Sequence, residues 1–317
     1  MSCVPQLTFT EPQLPTLVEG PPEGSQWIHE IKHDGYRTML VLDRDACRAF
    51  TRKGFDWSSR YPTIIAAVKK LGCKSAIIDG EIIVQDGRGA SDFDDLKAAI
   101  SWHPERLIFY AFDLLHLNAA DLRDDPLVER RNTLRKLISP DTHSPLQFSE
   151  EFAEGGTALF HACGELGLEG VVSKLSASRY RSGRSKTWLK SKCFIENSFL
   201  ILGTDRDRKT GATRALLAHD NGHGLEYAGA AFIALAGVER EALKVQLERL
   251  KTERCPIERL RLPNAQWVTP RVVARVRHLA GAKYLRHATV REIEQANFQL
   301  PPAATAIVAA TKKQQNQ

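Results

Sequence analysis

Apolar and polar residues alternate along Trp27-Ile28-His29-Glu30-Ile31, the period-two pattern of a strand with one buried face. The Asp34-Gly35 pair beyond it predicts a turn. Tyr36 to Leu42 and Cys47 to Thr51 then predict two more strands, separated at Asp43-Arg44-Asp45. Ala76 to Val84 predicts two short apolar strands hinged at Asp79-Gly80, and the unbroken apolar run from Leu107 to Leu117 predicts a buried one. Helical spacing appears between them. Ser91 is placed to cap a helix through Phe93, Leu96 and Ile100, Pro126 opens another carrying Leu127, Leu134 and Leu137, and a third covers Thr157 to Leu166. Strands from Glu169 to Leu175 and from Thr187 to Cys193 complete this half. Mostly antiparallel strands with interspersed helices predict an α+β domain over residues 1–194.

Around Phe194 to Ser198 the pattern changes. From Phe199 to Gly203 onward, short strands are separated by polar turns at Arg206 to Thr213 and His219 to Gly224. Ala215 to Leu217, Leu225 to Ala230 and Trp267 to Arg277 are the clearest of these strands, and a helix spans Val238 to Leu250. Such strands with one helix over residues 195–300 predict a small Greek-key barrel of the OB type. The Pro/Ala-rich tail, residues 301–317, is expected to be disordered.

A length of 317 residues is comfortable for two cores, and 43% hydrophobic with 26% charged residues is ordinary for a globular protein. No apolar stretch reaches the roughly 18 to 20 residues of a membrane span, so no membrane partner is expected. The start, Met1-Ser2-Cys3-Val4-Pro5, lacks the regions of a signal peptide, which points to the cytoplasm. A net charge of +6 leans towards a polyanionic partner through counterion release. Cys3, Cys47, Cys73, Cys163, Cys193 and Cys255 are scattered without Cys-x-x-Cys spacing. Free thiols are expected, rather than a zinc site or a disulfide framework.

The chemistry concentrates in Lys32-His33-Asp34-Gly35-Tyr36-Arg37. A lysine amine with an ordinary pKa of about 10.4 becomes a nucleophile only where desolvation or a nearby cation removes its proton. With an arginine beyond a glycine turn, it suits attack on a phosphate held at a strand end. The spacing is the Lys-x-Asp-Gly-x-Arg pattern of covalent nucleotidyltransferases, and further boxes of that superfamily follow in order. They are Thr51-Arg52-Lys53-Gly54, Asp79-Gly80-Glu81, Phe109 to Leu114 with Phe112 as its aromatic, Glu169-Gly170-Val171-Val172-Ser173-Lys174, and Trp188-Leu189-Lys190-Ser191-Lys192. The chain thus resembles the ATP-dependent DNA ligases. Pro15 to Pro22 and Tyr180-Arg181-Ser182-Gly183-Arg184 are similar to the bacterial end-joining type, the LigD ligase module and its stand-alone relatives.

The resemblance implies an adenylation (nucleotidyltransferase) domain followed by an OB-fold domain, sealing 3′-hydroxyl/5′-phosphate breaks in duplex DNA through a lysine–AMP intermediate. It makes Lys32 the nucleophile and has Asp34 assist nick sealing. Glu169 goes mainly to metal, Glu81 to ribose or metal, and Phe112 becomes the platform under adenine. The residue chemistry is compatible. Glu81 and Glu169 are hard oxygen donors suited to Mg²⁺ or Mn²⁺, and Phe112 offers burial and a π-face, although a core aromatic reads the same. Lys190 and Lys192, two apart on a strand, would repel without a polyanion such as an ATP phosphate between them. Arg37 and Arg52 are fork donors, Arg52 towards the 5′-phosphate of the nick. Glu30 shares the strand face of Lys32 and is a candidate for binding adenine or orienting the lysine. A surface lysine, solvated carboxylates and solvated basic faces are the plainer readings; the company of the boxes favours catalysis.

The second domain departs from the family pattern. Trp267-Val268-Thr269-Pro270 and Leu285-Arg286-His287 match the sixth box, with Arg286 implied to contact the pyrophosphate of ATP. The usual proline and a later arginine are absent after His287, Arg291 being the nearest substitute, and Arg275 stands where an acidic residue is expected. Ala228-Gly229-Ala230-Ala231-Phe232-Ile233 lacks the basic residues usual there. Slow or metal-selective self-adenylation is the expectation. The short segment before Lys32 and the missing zinc spacing favour ATP over NAD⁺. DNA contact is expected from a basic surface including Arg179, Arg181, Arg184 and Lys186. The expected setting is a bacterial, nucleoid-associated monomer acting on nicked or broken duplex DNA, with a Ku-like end-binding protein as a candidate recruiter. The rival readings are an RNA ligase or guanylyltransferase of the same superfamily, and a non-catalytic DNA-end binder.

Overall fold

The computed structural model describes residues 6–294 except 139, 153, 154, 223, 282 and 283; the tail at 301–317 lies outside the described residues. The chain divides into two units, Met1–Cys193 and Phe194–Gln317.

In the first unit the strands are β1 (Gln13–Val18), β2 (Trp27–Ile31), β3 (Tyr36–Asp43), β4 (Ala46–Thr51), β5 (Ser75–Ile83), β6 (Ile108–Leu117), β7 (Ala120–Asp121), β8 (Leu146–Phe148), β9 (Gly170–Leu175) and β10 (Gly183–Lys192). The helices are α1 (Pro62–Val68), α2 (Phe93–Trp102), α3 (Leu127–Leu137) and α4 (Gly156–Glu165). They build one sheet in the order β1-β10-β9-β2 and a second in the order β4-β3-β5-β6-β7, with β8 added on β6. Antiparallel pairing dominates; β1 with β10 and β6 with β8 are the parallel exceptions. The expected α+β class holds.

Alternation along β3 explains how the layers join. Leu40 and Leu42 face one core with Ile64 of α1, Leu96 of α2 and Leu134 of α3. Met39 and Val41 face the other, where Ile77, Phe112 and Leu115 of their own sheet meet Ile28 and Trp188 of the other sheet. Two sheets packed across that second layer leave a cleft at its edge.

Three local readings need correction. The run from Ala76 to Val84 is one strand, β5, whose register slips at Asp79/Gly80 instead of hinging; a side chain at Gly80 would collide with the Phe109 ring and the Tyr110 carbonyl. Asp92, not Ser91, caps α2: its carboxylate accepts from the amides of Asp94 and Asp95 at 3.0 and 2.9 Å, while Ser91 bridges to Gln85 in extended backbone. β1 and α1 carry no strong period in the sequence and were not anticipated.

The second unit holds β11 (Phe194–Arg206), β12 (Thr213–Asp220), β13 (Leu225–Ile233), α5 (Gly237–Arg249), β14 (Gln266–Trp267), β15 (Val273–Leu279) and β16 (Thr289–Glu294). The length of β11 closes the barrel. Residues Phe194 to Leu200 pair with β15, and Leu200 to Arg206 pair with β12. The ring then runs β11-β12-β13-β16-β15 and back to β11, which removes free edges. Phe199, Ile201, Leu217, Val276 and Val290 fill its core. The strand expected from Trp267 to Arg277 is broken: β14 ends at Trp267 and β15 starts at Val273, with Pro270 between them unable to donate to a ladder. β16 was not anticipated.

Candidate active site

The cleft of the first unit is lined by Glu30 and Ile31 of β2, Lys32 just beyond it, Arg37 of β3, Glu81 of β5, Phe112 of β6, Lys174 of β9 and Trp188 of β10. Lys32 is fixed by its backbone. Its amide donates to the Gly170 carbonyl at 2.8 Å, and Gly170 has φ 143° with the Ser191 carbonyl where a Cβ would stand. Only glycine lets β9 and β10 approach so closely at this point.

Lys32 Nζ lies 2.5 Å from Glu169 Oε2, and Lys192 Nζ lies 2.9 Å from Glu169 Oε1. Burial alone would push the Glu169 carboxyl up, but the charges of Lys32 and Lys192 outweigh it and hold the group below the usual range. Burial, then the charges of Lys32 and Lys192, lower the Lys190 ammonium. The expectation that Lys190 and Lys192 need a bound polyanion is therefore corrected. A resident carboxylate, Glu169, already balances Lys192, and the two lysines sit in different surroundings.

Deeper in the cleft is a polar knot. Glu30 is 2% exposed; its Oε1 lies 2.6 Å from Lys174 Nζ and 3.0 Å from Arg131 of α3, and its Oε2 accepts from Ser149 Oγ at 2.9 Å. Burial works against the Glu30 charge, yet Arg131 and Lys174 keep its carboxyl below the usual range. Burial draws the Lys174 ammonium down to about 8. Phe112 has Lys174 Nζ 4.2 Å and the Arg37 guanidinium 4.4 Å from its ring centre, and meets Trp188 edge-on at 6.1 Å. Phe112 is thus both a core aromatic and part of the cleft wall. Glu30 Oε1 and Lys174 Nζ are buried as each other's ion-pair partner, while Trp188 Nε1 is buried without a hydrogen-bond partner. All three belong to residues lining this one cleft, and the Trp188 N–H is hydrogen-bonding capacity that a ligand would use.

The Arg37 fork is already engaged, with Nε and Nη2 on Asp79 at 2.6 and 2.7 Å and Nη2 also on the Gln13 carbonyl at 3.2 Å. Tyr180 donates its hydroxyl to the same Asp79 at 2.6 Å. Burial pushes the Glu81 carboxyl up to about 7, against the pull of Lys32 and Arg37. His33, stacked on Tyr110 with ring centres 4.1 Å apart, is driven down to about 4 by burial and is neutral at pH 7.

Glu30, Lys32, Arg37, Glu81 and Phe112 thus meet in one cleft, with Glu169 and Lys192 joined to it through Lys32. Asp34 and Arg52 are outside its lining; Asp34 is half-buried in the turn after β2, and Arg52 is exposed beyond β4. Arg286 belongs to the second unit, where burial lowers its pKa and its carbonyl accepts from the Leu279 amide. Arg275 pairs with Glu294 at 3.2 Å on the neighbouring strand. The sequence reading missed roles for Lys174, Trp188, Ser149 and Arg131. Lys174 and Trp188 lie within quoted boxes and so left a trace; Arg131, in a polar helix, left none.

No group of three or more His, Cys, Asp or Glu side chains fit to cage a metal occurs among the described residues. Glu169 and Glu81 feel each other's charge, and two carboxylates suit a cation such as Mg²⁺ that takes its remaining ligands from water and substrate phosphate. The donor set fits that mode of binding. Among the described residues, no helix is long and apolar enough to cross a membrane.

A mixed-sheet unit with a lysine–carboxylate–lysine row at its cleft and, in the second unit, a closed barrel match the expected architecture of a nucleotidyltransferase-type domain and an OB fold. Comparison with known proteins narrows the class. The family model of the ATP dependent DNA ligase domain matches residues 15–192, more than half of the chain. The Multifunctional non-homologous end joining protein LigD of Pseudomonas aeruginosa is 34% identical over 282 residues, 86% of this chain and 34% of that protein. This chain therefore spans about a third of the length of the curated relatives it matches. Among solved structures, mycobacterial DNA ligase D complexed with ATP and MES superposes with TM-score 0.55 at 28% identity, covering 89% of this chain and 94% of that one. The ligase domain of Mycobacterium tuberculosis LigD gives 0.53 at 27%, covering 90% and 95%. The chain belongs to the ATP-dependent DNA ligase domain family.

Proposed function

We propose that this chain joins a 3′-hydroxyl to a 5′-phosphate in duplex DNA at the expense of ATP, and that it serves end joining. The observation that carries the reading is Lys32, held by Glu169 at a cleft whose wall carries the buried Glu30–Lys174 ion pair beside Phe112. A carboxylate acceptor at Glu30 beside an ammonium donor at Lys174 complements the amine and N1 of adenine; guanine presents the reverse pair. Phe112 supplies the stacking surface.

The deprotonated Lys32 amine attacks the α-phosphorus of ATP, an N–P bond forms, and the bond to pyrophosphate breaks. A DNA 5′-phosphate oxygen then attacks the same phosphorus, freeing Lys32 and leaving an AMP–DNA anhydride. Attack by the 3′-hydroxyl on the DNA phosphorus closes the phosphodiester and expels AMP. Glu169 orients Lys32 before charging, Lys190 and Lys192 balance phosphate charge, and Arg37 faces the ribose. Glu81 and Glu169 would hold Mg²⁺ or Mn²⁺, which supplies charge neutralisation at the phosphates. Asp34 assists nick sealing, exposed Arg52 takes the 5′-phosphate, and Arg286 contacts pyrophosphate. Recruitment by a Ku-like end-binding protein, action as a monomer and a cytoplasmic, nucleoid-associated location belong to the same reading.

Intact-mass measurement with ATP tests it. An AMP adduct should form, vanish in Lys32→Ala, and discharge on nicked DNA with a 5′-phosphate but not on nicked RNA. The altered sixth box predicts slow or Mn²⁺-favoured adduct formation; rapid complete labelling in Mg²⁺ would overturn that part. A wild-type protein that never takes up AMP would overturn the whole proposal.

A further inference from the structure

Helix α3 sends two adjacent arginines into the core, each 1% exposed. Arg130 forms a bidentate pair with Asp113 at 2.7 and 2.8 Å and caps the Asp125 and Ser178 carbonyls, a structural clasp. Arg131 does something different. Its Nη1 donates to the Phe112 carbonyl at 2.9 Å and lies 3.0 Å from Glu30 Oε1. Its Nη2 donates to the Ser149 carbonyl at 2.7 Å, and Ser149 Oγ in turn donates to Glu30 Oε2 at 2.9 Å. Its Nε donates to Glu151 at 2.5 Å, and its guanidinium lies 4.7 Å from the Phe148 ring centre.

We infer that Arg131 is the positioning residue that sets base selectivity, by fixing the Glu30 carboxylate relative to the Phe112 platform. The inference rests on the reading of the cleft as an adenine pocket. One planar fork touches the backbone of the stacking residue, the carboxylate that faces the base edge, and the carbonyl of the serine that holds that carboxylate's other oxygen. A rigid five-donor group can impose such a spacing; a flexible ammonium cannot. Arg131 also keeps Glu30 an acceptor. With the guanidinium gone, the buried carboxylate is left to Lys174 alone and tends to take up a proton. A protonated Glu30 can donate, and so accepts a 6-oxo purine that the ionised group rejects.

The test compares Lys32 adenylation with ATP and with inosine triphosphate, whose 6-oxo group cannot donate. In Arg131→Lys and Arg131→Met the ratio of kcat/KM values should fall by about ten- to a hundred-fold, the range for losing a hydrogen bond to a charged group. Glu151→Gln, which loosens Arg131 from outside the cleft, should lower it less and in the same direction. A purely scaffolding arginine would depress both nucleotides together; an unchanged ratio overturns the inference. If the Arg131 variants fail to fold, Glu151→Gln decides in the same way. Glu30→Gln separates the two layers of reasoning. A ratio it does not alter sinks the adenine-pocket reading itself, whereas a ratio lowered by Glu30→Gln but not by the Arg131 variants sinks only the role of Arg131.

Discussion

Burial pushes the Glu81 carboxyl up to about 7 from an ordinary 4.5, despite Lys32 and Arg37 nearby. The folded protein therefore holds this proton more tightly than the unfolded chain. The stability contributed is complete below about 4.5 and is lost as pH rises through about 7. Glu81→Gln stays neutral throughout, so its unfolding midpoint should decline less across that window than that of the wild type. Adenylation should show the complementary effect: as Glu81 ionises it becomes a better oxygen donor to metal or ribose, and the wild-type rate gains a rising limb near pH 7 that Glu81→Gln lacks. Superimposable pH–rate profiles would exclude Glu81 from the reaction. At this scale the sequence named most of the cleft, because each box couples a residue type to a spacing. It was silent on Arg131 and Ser149, whose importance lies in contacts across α3, β2 and β6.

Elements hold these residues through local rules that are individually small. Asp92 caps α2 and so anchors Leu96, Ala99 and Ile100 in the core. Asp92→Ala should cost about 1 kcal/mol, read as a lower urea midpoint with the adenylation rate retained. A midpoint equal to the wild type would mean that Ser91 or water replaces the cap. Periodicity found the strands and helices with a clear amphipathic face. It failed where backbone, not side-chain pattern, decides: the slip of β5 at Gly80, the break before β15 at Pro270, and β1, whose parallel pairing with β10 shifts register between Pro15 and Thr16. The partner strand supplies that information, and it lies far away in sequence.

For the whole molecule, a net charge of +6 gains meaning from where the charges are free. Arg179 and Arg181 share Asp124, at 4.0 and 2.7 Å, whereas Arg184 and Lys186 are exposed at the start of β10, the strand that continues to Lys190 and Lys192. DNA affinity should fall linearly with salt on logarithmic axes, without sequence preference. Arg184→Ala with Lys186→Ala should reduce that slope by about two; a slope left intact would move the DNA path elsewhere. By itself the sequence determined the α+β and barrel classes and the ordered boxes, because alternation and motif spacing are properties of neighbours along a chain. Tertiary structure alone decided that Glu169 is shared by Lys32 and Lys192, that Arg37 is held by Asp79, and that a helix arginine lies against the buried Glu30 carboxylate. These depend on Coulomb interactions and burial between residues distant in sequence, which exist only once the sheets have packed.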